Sequence, residues 1–114
     1  MELAAEDRGG ALLISVMEDR IDAVVAIQFR DRMREETATA HRRVVLDLSR
    51  VAFVDSSGLG AIVGAMKQLG KERRMDLAGL TINVAKVFRL TRMDTVFTIF
   101  DTAMAAMDHD ADAA

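Results

Sequence analysis

The chain has 114 residues, of which 51% are apolar and 29% charged, and a formal net charge of −3. This length suits one globular domain that buries roughly two-thirds of its unfolded surface, and an acidic chain without tryptophan or tyrosine is a poor nucleic-acid binder. The lack of cysteine excludes disulfides and fits a cytoplasmic location; the acidic start is unlike a signal peptide, and no uncharged apolar run reaches the ~20 residues that span a membrane.

The N-terminal third predicts a β-hairpin followed by a helix. Residues 3–6 and 11–17 form the two strands, and glycines in the turn at residues 8–10 supply the positive φ that tight hairpins require. Asp22 is the predicted cap of a helix that runs to about Thr39. Apolar residues at every fourth position give this helix one stripe that faces the core: Ile21, Val25, Phe29 and Met33.

The middle of the chain predicts two strands on either side of a second helix. Residues 43–48 (RVVLDL) are β-branched and nearly all apolar, which is typical of a strand covered on both faces. The helix starts at the Ser-Ser-Gly turn and runs to about Lys71, and residues 74–79 form the next strand. Helical spacing gives the core side of this helix: Leu59, Ile62, Val63, Met66 and Leu69.

The last third predicts two short helices and a final strand. The third helix lies around Val84–Phe88, the strand covers residues 96–100, and Asp101 caps a fourth helix through Met107. Residues 108–114 form an acidic tail that we expect to be frayed, so the domain spans residues 1–107. Strands alternating with helices after an opening hairpin predict an α/β fold, with a mixed sheet of about four to five strands packed against about four helices.

The segment Asp55-Ser56-Ser57-Gly58-Leu59-Gly60 lies where a predicted strand passes into a helix. Ser56 or Ser57 is a natural N-cap, and the helix dipole favours negative charge at this end. A phosphate here would meet free backbone N–H groups, so it would leave the domain folded. It would also place about two negative charges beside Asp55, and these would repel a partner docked over the helix start.

Local chemistry leaves other interpretations of this segment open. Serines at helix starts commonly cap and do nothing more. Glycine within a helix costs roughly 1 kcal/mol relative to alanine, so Gly60 and Gly64 indicate close approach by the sheet or by a partner. The run from Gly58 to Gly64 also fits a loose dinucleotide fingerprint, although 114 residues are too few for two nucleotide-binding halves. A serine hydrolase is disfavoured because the first glycine of its nucleophile elbow is missing.

Charged residues elsewhere predict neither a metal nor a cofactor site. The run His41-Arg42-Arg43 is predicted to be a solvated turn before a strand, with a basic contact for an acidic partner as the alternative. Asp47 is expected to form hydrogen bonds at the end of the sheet. The tail is expected to be solubilising rather than metal-binding, although it carries four residues of ligand type: Asp108, His109, Asp110 and Asp112.

Residues 42–80 (RRVVLDLSRVAFVDSSGLGAIVGAMKQLGKERRMDLAGL) resemble the centre of a STAS domain of the bacterial anti-sigma factor antagonist family. The resemblance extends to residues 20–33 and 90–107, and DSSGLG is its most specific part. In that family the serine directly after the aspartate is phosphorylated, and this serine corresponds to Ser56. The resemblance implies that the unphosphorylated protein binds a serine-kinase anti-sigma factor with a histidine-kinase-like ATPase fold. That kinase would phosphorylate Ser56 to break the complex, and a PPM-type phosphatase would reverse the modification.

The same resemblance implies a partner-binding surface at the start of the second helix, with Asp22 near its edge. Its implied members are Asp22, Asp55, Ser56, Ser57, Gly58, Leu59 and Gly60. Three positions depart from the usual family pattern: Asp19 and Arg92 stand where many members have glycine, and Leu80 where a proline often follows the fourth strand. None of these positions is Ser56, so phosphorylation of Ser56 stays the prediction.

Together these observations predict a small regulatory binding protein rather than an enzyme. A second hypothesis is a non-switching STAS scaffold or accessory subunit of an ABC-type ATPase or a stressosome-like assembly. A third is a small nucleotide-binding module, which the glycine-rich run alone suggests. The first two differ in one observable property, because only a switch loses its partner when ATP-dependent phosphorylation takes place.

Overall fold

A mixed sheet of five strands forms the centre of the protein in a computed structural model that describes residues 1–109. Its strands, in spatial order, are β1 (Leu3–Arg8), β2 (Ala11–Val16), β4 (Arg43–Asp47), β6 (Arg74–Ala78) and β7 (Ile99–Phe100). The β1–β2 hairpin is antiparallel, whereas the other pairs are parallel. Two short strands, β3 (Arg20–Ile21) and β5 (Phe53–Val54), pair in parallel beside this sheet.

Among the described residues, four α-helices pack against the sheet: α1 (Ala26–Glu36), α2 (Ser56–Leu69), α3 (Ile82–Leu90) and α4 (Ala103–Asp108). A single turn of 3-10 helix follows α3 at Met93–Thr95. This architecture confirms the predicted fold class, including the opening hairpin. Within residues 1–109, no helix has both the length and the apolar character that crossing a membrane requires.

Strand β4 is covered on both faces, as its apolar sequence predicted. Val44 and Leu46 belong to the main core, which also contains Phe29 of α1 and Ile62 of α2. Val45 points to the opposite face and packs with a smaller cluster that includes Ala106 of α4. The large core therefore lies under α1, α2 and α3, while α4 is the one helix within residues 1–109 that covers the other side.

The starts of α1 and α4 differ from the predictions. Helix α1 begins after Val25, which provides no side-chain cap. Asp22 does not cap the helix, because its carboxylate accepts a hydrogen bond from the Val24 N–H (3.1 Å) inside its own turn. The helix also ends at Glu36, short of Thr39. In α4 the cap is Thr102 rather than Asp101, since the Thr102 hydroxyl accepts from the Ala105 N–H (3.0 Å).

The predicted strand over residues 96–100 is reduced to Ile99–Phe100. Before it, the chain turns through the 3-10 helix so that Phe97 can be buried against Phe88 of α3. Their ring centroids lie 6.0 Å apart in an edge-to-face arrangement. The burial of Phe97 therefore favours a turn over the extended backbone that was predicted for residues 96–98.

The C-terminal residues join the fold further along than predicted. Asp108 is the last residue of α4, and the ring of His109 lies 5.3 Å from that of Phe100. The His109 carbonyl accepts a hydrogen bond from Arg43 (3.2 Å). Residues 110–114, which include most of the predicted acidic tail, lie outside the described residues.

Candidate functional site

Helix α2 begins at Ser56, and its N-cap is Asp55 rather than either serine. The Asp55 Oδ1 accepts a hydrogen bond from the Gly58 N–H at 2.8 Å. A carboxylate at this position satisfies a free backbone donor and also interacts favourably with the helix dipole, so it suits the cap at least as well as a serine hydroxyl. Ser56 and Ser57 are both exposed, and within residues 1–109 neither hydroxyl forms a hydrogen bond.

The same carboxylate ties α2 to the loop before α1. The Asp55 Oδ2 accepts a hydrogen bond from the Ala23 N–H at 3.1 Å. Asp22, which precedes Ala23 in that loop, forms an ion pair with Arg20 (Nε–Oδ2 3.1 Å) and has a side chain that is only 16% exposed. The structure therefore brings Asp22 and Asp55 to the same side of the molecule, with both carboxylates already engaged by the protein.

Gly58 is the glycine that close packing requires. It is buried, and a Cβ placed there would overlap the carbonyl oxygen of Ile21 in β3. Gly60, by contrast, is exposed, and a Cβ at that position would have no neighbouring atom within 4 Å. Gly64 faces the side chain of Arg30 in α1, whose Nε would lie 3.2 Å from such a Cβ.

These positions sort the five residues that follow Asp55 into two groups. Gly58 is buried and Leu59 is half-buried against the main core, so both contribute to packing. Ser56, Ser57 and Gly60 are exposed, so these three provide the accessible surface of the helix start.

Sequence reasoning missed a set of exposed apolar side chains near Ser56. Val24 is 83% exposed beside Ala23, Phe53 is 45% exposed two residues before the cap, and Ile82 is 89% exposed at the start of α3. The Thr81 hydroxyl donates to the Val51 carbonyl (2.8 Å), which holds the start of α3 against the chain leading into β5. We call Val24, Phe53 and Ile82 the apolar rim. The sequence did contain one indication of this, because Val24 falls outside the apolar stripe predicted for the first helix.

The basic run before β4 is only partly the solvated turn that was predicted. Arg42 is exposed, but Arg43 is buried, and its Nε lies 2.9 Å from the Asp76 Oδ2. Arg74 binds the other oxygen of Asp76 at 2.7 Å. Because Arg43 lies on the inner strand β4, its side chain points under α4 rather than into solvent. Asp47 accepts from the Ser49 N–H (3.0 Å), which confirms the predicted hydrogen bond at the sheet end.

The structure brings no described histidine to Ser56. His41 lies before the amino end of β4, where its Nε2 is 2.9 Å from the Asp7 Oδ2. This hydrogen bond lowers the pKa of the Asp7 carboxyl. His109 lies beside Phe100, with its carbonyl bound to Arg43 at the same end of the sheet. Ser56 therefore has no described imidazole that could act as the base of a hydrolase, and residues 1–109 hold no group of three or more side chains placed to bind a metal.

Comparison with known proteins agrees with this architecture. The family model described as the STAS domain matches residues 2–106. A Bordetella bronchiseptica protein named as an anti-sigma factor antagonist, BtrV, is 27% identical over 101 residues, covering 88% of this chain and 87% of its own. The anti-sigma-B factor antagonist of Listeria monocytogenes is 30% identical over 81 residues, covering 69% of this chain and 70% of its own.

A solved structure shares the whole fold. The anti-sigma factor antagonist SpoIIAA in its unphosphorylated form superposes with a TM-score of 0.75 at 23% identity, covering 94% of each chain. The phosphorylated form of SpoIIAA, from Bacillus, gives a TM-score of 0.67 at 22% identity, covering 94% of this chain and 97% of that one. These two structures share the fold, and the STAS-domain match over residues 2–106 together with the 30% identity to the Listeria antagonist shows that the chain belongs to the STAS-domain family of anti-sigma factor antagonists.

Proposed function

We propose that the protein is a phosphorylation-controlled partner-switching regulator of the cytoplasm, a binding protein rather than an enzyme, with Ser56 as the residue that is modified. The observation that carries this proposal is the exposure of Ser56 at the start of α2, where Asp55 is the residue that caps the helix. A serine that capped the helix would use its hydroxyl oxygen internally. Ser56 does not, so its hydroxyl is free to receive a phosphoryl group.

The partner, by likeness to the family, is a serine-kinase anti-sigma factor with a histidine-kinase-like ATPase fold, and a PPM-type phosphatase restores the unmodified serine. The apolar rim supports docking at this end, because Val24, Phe53 and Ile82 expose apolar area that a partner would remove from water. The exposed Gly60 adds a stretch of helix that a partner could approach closely. Asp22, Asp55 and the serines would lie within or beside this contact.

Phosphorylation would release the partner without unfolding the domain. As the first residues of α2, Ser56 and Ser57 have backbone N–H groups without an intrahelical acceptor, and these can bind phosphate oxygens. The two added charges would lie next to the Asp55 carboxylate, at the end of the molecule that carries the apolar rim, where docking would have to desolvate them. Because ~1.4 kcal/mol is tenfold in affinity, a penalty of a few kcal/mol is enough to open the complex.

Affinity capture from native lysate, with and without ATP, tests the switch. Wild-type protein should capture a kinase without ATP, and should lose it and gain phosphate on Ser56 with ATP, as measured by mass spectrometry. Ser56→Ala should hold the kinase in both conditions, and Ser56→Asp should capture little in either. Ser57→Ala is the matched control for the modified position: it removes the neighbouring exposed hydroxyl, and the protein should still gain phosphate on Ser56 and lose the kinase with ATP.

Two outcomes would contradict the proposal. Phosphate found on the Ser56→Ala protein would show that another residue is modified. Stable capture that ATP does not change, in large particles by size-exclusion chromatography, would favour the non-switching scaffold or the accessory subunit of an ABC-type ATPase or stressosome-like assembly.

A further inference from the structure

The end of the sheet opposite Ser56 carries a cleft of about 490 Å³ lined almost entirely by cations. Two loops form it, one before β4 and one between α2 and β6. Because β4 and β6 are parallel neighbours, their amino ends lie side by side, and the Arg74 N–H donates to the Arg42 carbonyl at 2.9 Å. The lining residues, which we call the basic cleft, are Arg42, Lys71, Glu72, Arg73 and Arg74.

Few ion pairs within residues 1–109 neutralise this positive charge. Within residues 1–109, Arg42, Lys71 and Arg73 take part in no ion pair. Arg74 does pair with Asp76, but that one carboxylate is shared with Arg43. Glu72 is the single carboxylate among the lining residues. The cleft is therefore strongly positive in a chain whose net charge is −3.

Arg73 is held in place before any ligand arrives. Its Nε donates to the His41 carbonyl at 2.6 Å, and its Nη1 donates to the Thr37 carbonyl at 2.9 Å. Neutral carbonyls fix a guanidinium without cancelling its charge. Its Nη2 is buried and has no hydrogen-bond partner among the described residues. Because this atom is closed to solvent, an anion in the cleft would stabilise the guanidinium through its charge rather than through a hydrogen bond to Nη2.

We propose that the basic cleft binds a small anion that carries several adjacent phosphate groups, either an inorganic polyphosphate or the triphosphate of a nucleotide. The volume lies in the range of small-molecule sites, ~300–1,000 Å³. Cations from two loops suit several linked charges better than one, because each further phosphate can meet a cation from the other loop. The lining has no aromatic side chain on which a base could stack, so the phosphates provide the recognition.

Titration calorimetry on the full, unphosphorylated chain tests this site, with orthophosphate, pyrophosphate, tripolyphosphate and ATP as probes. Affinity should rise with the number of linked phosphates and fall as salt is added. The double variant Arg42→Gln/Lys71→Gln should weaken tripolyphosphate binding by about tenfold or more. The matched control, Lys86→Gln/Arg89→Gln, removes the same charge from exposed positions of α3 and should change it less than about twofold.

Amide chemical shifts locate the bound anion independently of affinity. Addition of tripolyphosphate should move the signals of residues 42 and 71–74 and leave those of Ser56 and Ser57 in place.

Equal binding of ATP and tripolyphosphate would show that any triphosphate is accepted, and weaker binding of ATP would favour the inorganic chain. The proposal is wrong if millimolar tripolyphosphate gives neither heat nor shifts, if the control double variant loses as much affinity, or if the shifts centre on Ser56. Ser56→Ala should bind like the wild type, which separates this test from that of the switch.

Discussion

The start of α2 and the end of α3 are two helix boundaries that differ in how well their residues suit the local backbone conformation. At the start of α2, Asp55 satisfies two backbone N–H groups, and Gly58 lets the helix approach β3 closely. At the end of α3, Arg92 adopts a left-handed conformation (φ 63°) and is the one described residue other than glycine that does so. The first boundary uses the residue types that its geometry favours, whereas the second keeps an unfavourable one. The difference indicates that the helix start beneath Ser56 tolerates little change, and that the end of α3 is free to improve.

The largest expected effect comes from closing the contact at Gly58. Gly58→Ala should lower the free energy of unfolding by about 3 kcal/mol, since the added methyl meets a backbone carbonyl that cannot rotate away. Urea denaturation measures the change. Gly60→Ala is the matched control in the same helix, and it should raise stability by about 0.5–1 kcal/mol because its surroundings are open. Equal effects of the two substitutions would show that α2 does not rest on β3 in this way.

The Gly60→Ala protein also separates stability from binding. If a partner approaches α2 closely at this position, the variant should be more stable than the wild type and yet bind its kinase more weakly. A more stable variant with unchanged binding would show that the partner does not reach Gly60.

A smaller loss is expected when the cap itself is removed. Asp55→Ala should lower the free energy of unfolding by about 2 kcal/mol, because it leaves the Gly58 and Ala23 N–H groups without their acceptor. Asp55→Asn keeps one acceptor oxygen and should lose about half as much. If thermal and urea unfolding showed the alanine variant to be as stable as the wild type, Asp55 would not be the link between α2 and the loop before α1.

The same boundaries show what sequence patterns can and cannot predict. The existence of α2 and its buried Ile62 follow from helical spacing, and β4 follows from its apolar run, since both patterns are local. The choice of cap among Asp55, Ser56 and Ser57 was wrong because all three residue types cap well. A distant N–H group, that of Ala23, decides in favour of the residue with two acceptor oxygens. The role of Gly58 was missed for a similar reason, because its neighbour Ile21 lies far away in the chain.

The apolar rim and the buried ion pair also depend on tertiary structure. Val24, Phe53 and Ile82 come from three separate segments, and only the folded chain brings them to the end of the molecule that carries Ser56. Arg43 belongs to a basic run that resembles a surface turn, and only the pairing of β4 with β6 places it beside Asp76. The prediction of Ser56 as the modified residue rests on the specificity of its segment in sequence, not on its surroundings in the fold.

The smallest expected effect, a gain in stability rather than a loss, lies at the end of α3. A left-handed conformation costs a residue with a side chain roughly 1–2 kcal/mol, of which glycine recovers part, so Arg92→Gly should raise the free energy of unfolding by about 0.5 kcal/mol. Arg89→Gly makes the same chemical change one turn earlier, inside α3, where glycine should destabilise by about 1 kcal/mol. Paired urea melts measure both. A loss of stability in the Arg92→Gly protein would mean that the arginine side chain contributes more than its backbone conformation costs. At both helix boundaries, the residue that is present would then stabilise the fold.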